Sequence, residues 1–197
     1  MASTPTLLPP LEFHPASADR WADLEALFGP RGACGGCWCM AWRLPRSEFA
    51  RQKGEGNRQS LAALVSSGEE PGILAYAAGR PVGWCCVAPR ERFPVLERSR
   101  VLKRIDGEPV WSVVCFFVAR EYRRRKLAVE LLRAAIAHVR SRGGRIVEGY
   151  PVEPKKGRLP DAFAWTGPRS AFNQAGFTEA ARGSAARPIM RFHIADG

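Results

Sequence analysis

The nine residues from Val110 to Val118, VWSVVCFFV, form a nearly continuous apolar run, and they constrain the fold more than any other segment. A run this short falls well below the roughly 18 apolar residues that cross a bilayer. Its length and its β-branched and aromatic content predict a central strand covered on both faces. A helix follows. Ala128, Leu131, Leu132, Ala135, Ile136 and Val139 recur at i, i+3, i+4, i+7, i+8 and i+11, which makes one apolar stripe of helical period. Gly143-Gly144 ends that helix, and Arg145 to Tyr150 reads as the next strand. Strand, helix and strand in this order form a β–α–β unit.

The flanking segments supply the rest of a sheet. Leu11 to Phe13 predicts a short first strand, and Ala18 to Phe28 a helix with Trp21, Leu24, Leu27 and Phe28 on one side. Gly29-Pro30 stops that helix. Ser47 to Val65 predicts a second helix, broken near Gly54 and Gly56 and ended by Gly68. Gly72 to Tyr76 and Pro81 to Val87, separated by Ala-Ala-Gly-Arg, predict a β-hairpin. Pro89 to Ile105 is charged and partly helical in pattern. After a connection from Pro151 to Pro168, a short helix around Ser170 to Gln174 leads to Gly176-Phe177, and Arg187 to Ile194 closes the chain as a last strand. The order predicts an α+β fold: a mixed central sheet of six to seven strands flanked by helices, in a single domain over residues 1–197.

Charge and cysteine usage narrow the function classes. A formal charge of +11 attracts polyanions, whether nucleic acid, anionic lipid or a phosphate-rich cofactor. No apolar stretch reaches membrane-span length, and Met1 to Pro10 has no basic segment ahead of an apolar one, so a cytoplasmic location is expected. Cys34-x-x-Cys37-x-Cys39 lies in the glycine- and tryptophan-rich stretch Gly32 to Arg43, but no second CxxC or paired His follows to complete a zinc site. Cys85, Cys86 and Cys115 fall in strand-like apolar runs, where thiols behave as small hydrophobes. Reduced cysteines and no metal are expected.

Between the strong strand and its helix lies REYRRRKLA, Arg120 to Ala128. A helix N-terminus offers unpaired N–H groups and a partial positive charge, so a phosphate can sit there. Cations beside that terminus oppose the helix dipole unless an anion is bound. The stretch Phe117 to Ala128 resembles the acyl-CoA-binding motif of the GNAT N-acetyltransferase superfamily, in which a strand ending in Val is followed by R-x-x-G-x-G/A entering a helix. Val118 matches the strand-end Val, Arg123 opens the motif and Ala128 fills its last position. Ala171 to Phe177, AFNQAGF, is similar to the family's short helix ending in Gly-Phe. The resemblance covers most of the chain and implies acetyl-CoA as cosubstrate. By it, backbone N–H groups of Arg124, Arg125, Lys126, Leu127, Ala128 and Val129, beside Arg123, would hold the pyrophosphate. Phe116, Phe117 and Val118 would hydrogen-bond the pantetheine arm where two strands splay apart. It departs from the motif twice: Lys126 stands at the central glycine, and Phe172 where many relatives place a Tyr general acid.

An attacking amine must be deprotonated, so a base is needed. Glu148 and Tyr150 lie two apart on a predicted strand and share a face, which makes them the candidate base and acid. The alternative is that Glu148 pairs with an arginine and Tyr150 packs in the core. Glu153 and Asp161 on the following connection are further candidates. Trp38, Trp42, Phe163 and Trp165 are candidate walls of an apolar acceptor pocket, or else core. The expected activity is acetyl transfer to an unidentified small-molecule or peptide amine. A non-catalytic acyl-CoA-binding module and a nucleic-acid binder are the alternatives. The oligomeric state stays open, a homodimer included.

Overall fold

The apolar pattern resolves, in a computed structural model describing residues 9–153 and 165–195, into a seven-stranded sheet with helices on both faces. The strands are β1 (Leu11–Pro15), β2 (Gly72–Ala77), β3 (Arg80–Pro89), β4 (Trp111–Val118), β5 (Ile146–Gly149), β6 (Thr178–Ser184) and β7 (Arg187–His193). Their spatial order is β1-β2-β3-β4-β5-β7-β6. Of the neighbouring pairs only β4 and β5 run parallel, as the β–α–β pattern requires. The helices are α1 (Trp21–Phe28), α2 (Arg46–Arg51), α3 (Glu55–Ser66), α4 (Pro94–Glu97), α5 (Leu127–Ser141) and α6 (Arg169–Gln174).

Alternation along the strands divides the core in two. Ile73, Ala75 and Ala77 of β2, with Val113 and Phe116 of β4, face α5 and α6. Leu74 and Tyr76, with Trp84, Cys86, Val114 and Cys115, face α1 and the Gly32–Arg43 segment. The α5 stripe is buried as its spacing predicts: Leu131, Leu132, Ala135 and Val139 are fully enclosed against the sheet. Each buried leucine of this kind contributes roughly 1.5–3 kcal/mol. Segment 47–65 is two helices, α2 and α3, and the break falls at Gly54, whose φ of +90° is left-handed.

β6 is not legible in the sequence. TEAARGS has no apolar alternation because the strand is an exposed edge, paired on one side with β7. No helix among the described residues is long and apolar enough to cross a membrane.

Candidate functional site

β4 and β5 stay paired for three rungs, Trp111–Val147, Ser112–Glu148 and Val113–Gly149, and then part. Two local features account for the parting. Val114 is a bulge residue, unopposed on β3 between the Cys86–Cys115 and Val87–Val113 pairs, and a bulge bends its strand. On the other side β5 runs into Pro151, which has no N–H to continue a ladder. Beyond the last rung β4 continues to Val118 with one edge free of β5. The Ala119 N–H donates to the Val82 carbonyl at 2.9 Å, so Ala119 and, by alternation, Phe117 turn their peptide groups toward β3. Phe116 and Val118 turn theirs into the gap. Of the three residues expected at the pantetheine arm, Phe116 and Val118 are thus the two whose peptide groups face the gap.

The gap opens onto the basic turn. Arg124 and Lys126 both adopt left-handed backbone, with φ of 62° and 63°. Lys126 thus takes the conformation for which glycine is suited, at the motif position where the family has glycine. The Arg123 Nε donates to the Val118 carbonyl at 3.1 Å and folds the turn back onto the strand end. The first bond into α5 runs from the Val129 N–H to the Lys126 carbonyl, 2.9 Å. The Val129 N–H is therefore engaged within the first turn, whereas Leu127 and Ala128 precede that bond, at positions that have no partner within a helix. Arg123, Arg124 and Lys126 are exposed around that terminus, and the Arg125 guanidinium lies 5.9 Å from the centre of the Tyr122 ring.

From the α5 side the gap is closed by aromatic rings. Phe172 on α6 is fully buried, edge-on to Phe116 at 6.1 Å and to Phe177 at 5.2 Å. It rests on Gly149, where an added Cβ would lie 2.1 Å from the ring. The position that carries a hydroxyl in many relatives is thus filled by an apolar ring beside the last rung.

Glu148 and Tyr150 are brought together, but inside a buried polar network. Tyr150 Oη donates to Glu148 Oε1 at 2.6 Å. The same Oε1 accepts from Arg90 Nη1 at 2.9 Å, and Oε2 accepts from Arg191 Nε at 2.7 Å. Burial, then the adjacent Glu148 charge, pushes the Tyr150 phenol well above its usual range. The pairing alternative for Glu148 and the core alternative for Tyr150 are what the geometry displays. Glu153 lies on the surface between Arg169 and Arg182, while Asp161 and Phe163 lie outside the described residues.

Of the acceptor-pocket candidates, Trp42 and Trp165 meet at 5.9 Å between ring centres, and the Trp42 Nε1–H is buried without a hydrogen-bond partner. Trp38 belongs elsewhere. It stacks on Trp21 and packs edge-on to Phe28, lining a cleft of about 620 Å³ with Gly36, Lys53 and Arg58. All six cysteines are free thiols, and Cys39 donates its S–H to the Cys115 sulfur at 3.3 Å. The Cys39 contact pulls the Cys115 thiol down, but burial and the neighbouring cysteines Cys86, Cys37 and Cys85 together outweigh it and hold the thiol above its ordinary value, which disfavours a thiolate nucleophile. No motif or spacing in the sequence marks Arg90, Arg191 or Ser112. The one visible signal was a hydroxyl at Ser112 inside an otherwise apolar strand.

The family model described as the acetyltransferase (GNAT) family matches residues 38–153. Among solved structures, a GNAT-family acetyltransferase from Streptococcus agalactiae superposes with a TM-score of 0.56 at 12% identity, covering 94% of this chain and 96% of its own. PaiA N-acetyltransferase from Thermoplasma acidophilum, in complex with coenzyme A, gives 0.54 at 15% identity, covering 94% and 99%. YncA from Salmonella typhimurium, with its cofactor acetyl-CoA, gives 0.52 at 12% identity, covering 95% of each chain. No curated protein has a matching sequence.

Proposed function

This chain belongs to the GNAT acetyltransferase family, and from that premise we propose that it transfers the acetyl group of acetyl-CoA to the nitrogen of an amine. The observation that carries the reading is the parting of β4 from β5 directly above the Arg123–Ala128 turn. A thioester arm laid along the free edge of β4 meets the peptide groups of Phe116 and Val118. Its phosphates reach the N–H groups of Leu127 and Ala128 at the positive end of α5. The net charge of +11 favours the approach of such a polyanion.

The chemistry needed is modest. The amine nitrogen attacks the thioester carbon, the carbonyl oxygen gains charge against backbone N–H donors on the β4 edge, and the thiolate departs. Phe172 has no proton to give that thiolate, so water or the newly formed ammonium supplies it. Trp42 and Trp165 line the acceptor's approach in this reading, and the unpartnered Trp42 N–H is its hydrogen-bond donor.

Two measurements test the proposal. Acetyl-CoA should raise the melting temperature in a concentration-dependent way, reaching about 2.7 kcal/mol of stabilisation at one hundred times Kd. Release of free CoA thiol across a panel of small amines and peptides should then identify acceptors. Absence of any shift up to millimolar acetyl-CoA overturns the reading. Binding without thiol release from any amine makes the chain an acyl-CoA-binding module, a reading that the apolar Phe172 favours. For an acceptor found in the panel, Trp42→Phe should raise its KM several-fold and leave acetyl-CoA affinity unchanged.

A further inference from the structure

The point where β4 and β5 part is occupied on its α1-side face by a polar network out of proportion to its apolar surroundings. Arg90, in the turn after β3, has no exposed surface, and all its nitrogens are engaged. Nε donates to Glu97 at 2.5 Å, Nη1 to Glu148 and to Tyr150 Oη at 2.9 Å each, and Nη2 to the Leu102 carbonyl at 2.7 Å. Arg191 of β7 donates from Nε to Glu148 and grips Asp106 with two nitrogens, at 2.6 and 3.0 Å. Since the Tyr150 hydroxyl gives its own proton to Glu148, the Ser112 hydroxyl must donate to it across 2.8 Å.

The register gives the network its meaning. Ser112 and Glu148 face each other one rung before the last β4–β5 pair, and Tyr150 is the first residue beyond it. Glu148 also faces Arg191 across the β5–β7 ladder. Side chains from β4, β5 and β7, with one from the turn after β3, are thus fastened at the apex of the gap. Burying two guanidinium groups and a carboxylate costs several kcal/mol per ion before their attraction is counted, and apolar side chains would fill the same volume more cheaply. What the ions add is a fixed geometry. The Tyr150 hydroxyl donates once and accepts twice, and each Glu148 oxygen is taken by a guanidinium, so neither group is left to exchange a proton with a substrate.

We propose that Arg90, Ser112, Glu148 and Tyr150 are positioning residues that set the angle at which β4 and β5 diverge, and so the seat of the thioester arm. This rests on the acetyl-CoA reading above. It separates two parts of one ligand: the arm lies in the gap, whereas the phosphates lie at the turn.

The test is calorimetric titration of the wild type, Tyr150→Phe and Ser112→Ala with two ligands. One is acetyl-CoA, and the other is 3′-phosphoadenosine 5′-diphosphate, which keeps the phosphates and lacks the arm. Each variant deletes one hydroxyl. Acetyl-CoA affinity should fall about 3- to 10-fold, as loss of a buried hydrogen bond implies, with affinity for the truncated nucleotide unchanged. Glu148→Gln should show a larger loss of the same pattern, and where it fails to fold the two hydroxyl deletions decide. Equal weakening of both ligands would mean a general loss of structure and overturns the proposal. So does unchanged acetyl-CoA affinity with reduced turnover in Tyr150→Phe, which would make Tyr150 a catalytic acid. A wild type that binds neither ligand overturns the cofactor reading and this proposal with it.

Discussion

Lys126 shows how a single residue can depart from a motif and keep its geometry. Its left-handed backbone is one that glycine adopts freely and a side chain adopts at a cost of roughly 1–2 kcal/mol. Lys126→Gly should therefore raise stability by up to about 1 kcal/mol, since glycine's greater freedom when unfolded offsets part of the gain. Lys126→Val should lower it, and denaturant midpoints of the two variants read the difference. The sequence shows that a lysine replaces the motif's glycine, but a backbone angle has no trace in residue identity. Phe172 is the reverse case. Its identity tells that no acid stands there, and only the packing against Gly149 and Phe116 tells why. Phe172→Tyr would bury a hydroxyl among apolar rings. It should cost about 1–3 kcal/mol, measured as a lower melting temperature.

Among the elements, β4 and α5 were legible because their burial is periodic and local. Every residue of the α5 stripe but the half-buried Ala128 is enclosed, and β4 is covered on both faces at its centre. Leu132→Ala should cost about 2–5 kcal/mol, because it opens a cavity between helix and sheet that neighbours cannot fill. The parting of β4 and β5 was legible only through resemblance, since Pro151 marks where β5 stops pairing but nothing in the sequence shows that β4 runs on past it. The bulge at Val114 depends on pairing with β3, and pairing is a long-range property. The same holds for Arg90, 58 residues from its partner Glu148. Charge spacing within one element can be read from a sequence, but this contact joins the end of β3 to β5 across β4. β6 escaped because an exposed edge needs no apolar alternation. At the junction of β5 and α6, Gly149→Ala should destabilise by about 1–3 kcal/mol, as the methyl group drives into the Phe172 ring.

The whole molecule should be most stable between about pH 6.5 and 8.5, for reasons distributed through both core layers. Burial holds the thiols of Cys39, Cys85 and Cys86 above their ordinary values, and it pushes the Tyr76 phenol up to about 12 with help from Asp23. For Cys39 the larger cause is its contact with Cys115. Above about pH 8.5 the unfolded chain releases these thiol protons while the folded chain keeps them, so stability falls as pH rises, more steeply near 10 as tyrosines join. On the acid side burial lowers the His138 imidazole, which stays neutral when folded and charges when unfolded below about 6.5. Glu153, held low by Arg169 and Arg182, and Glu179, held low by Arg182, extend that loss as pH falls below about 4. Chemical denaturation across pH 4 to 10 should trace a plateau with two falling shoulders, and a monotonic rise above 8.5 would contradict it.

The outer strands have a consequence for how copies of this molecule meet. A sheet that does not close leaves a row of unpaired peptide groups at each end, a template on which another chain can grow. Here the β6 edge is interrupted by two register breaks and carries Glu179 and Arg182, while β1 ends at Pro15, which offers no N–H. Neither border is a flat ribbon that a neighbouring strand can continue. Concentrated folded protein should therefore resist the strand-by-strand stacking that leads to fibres.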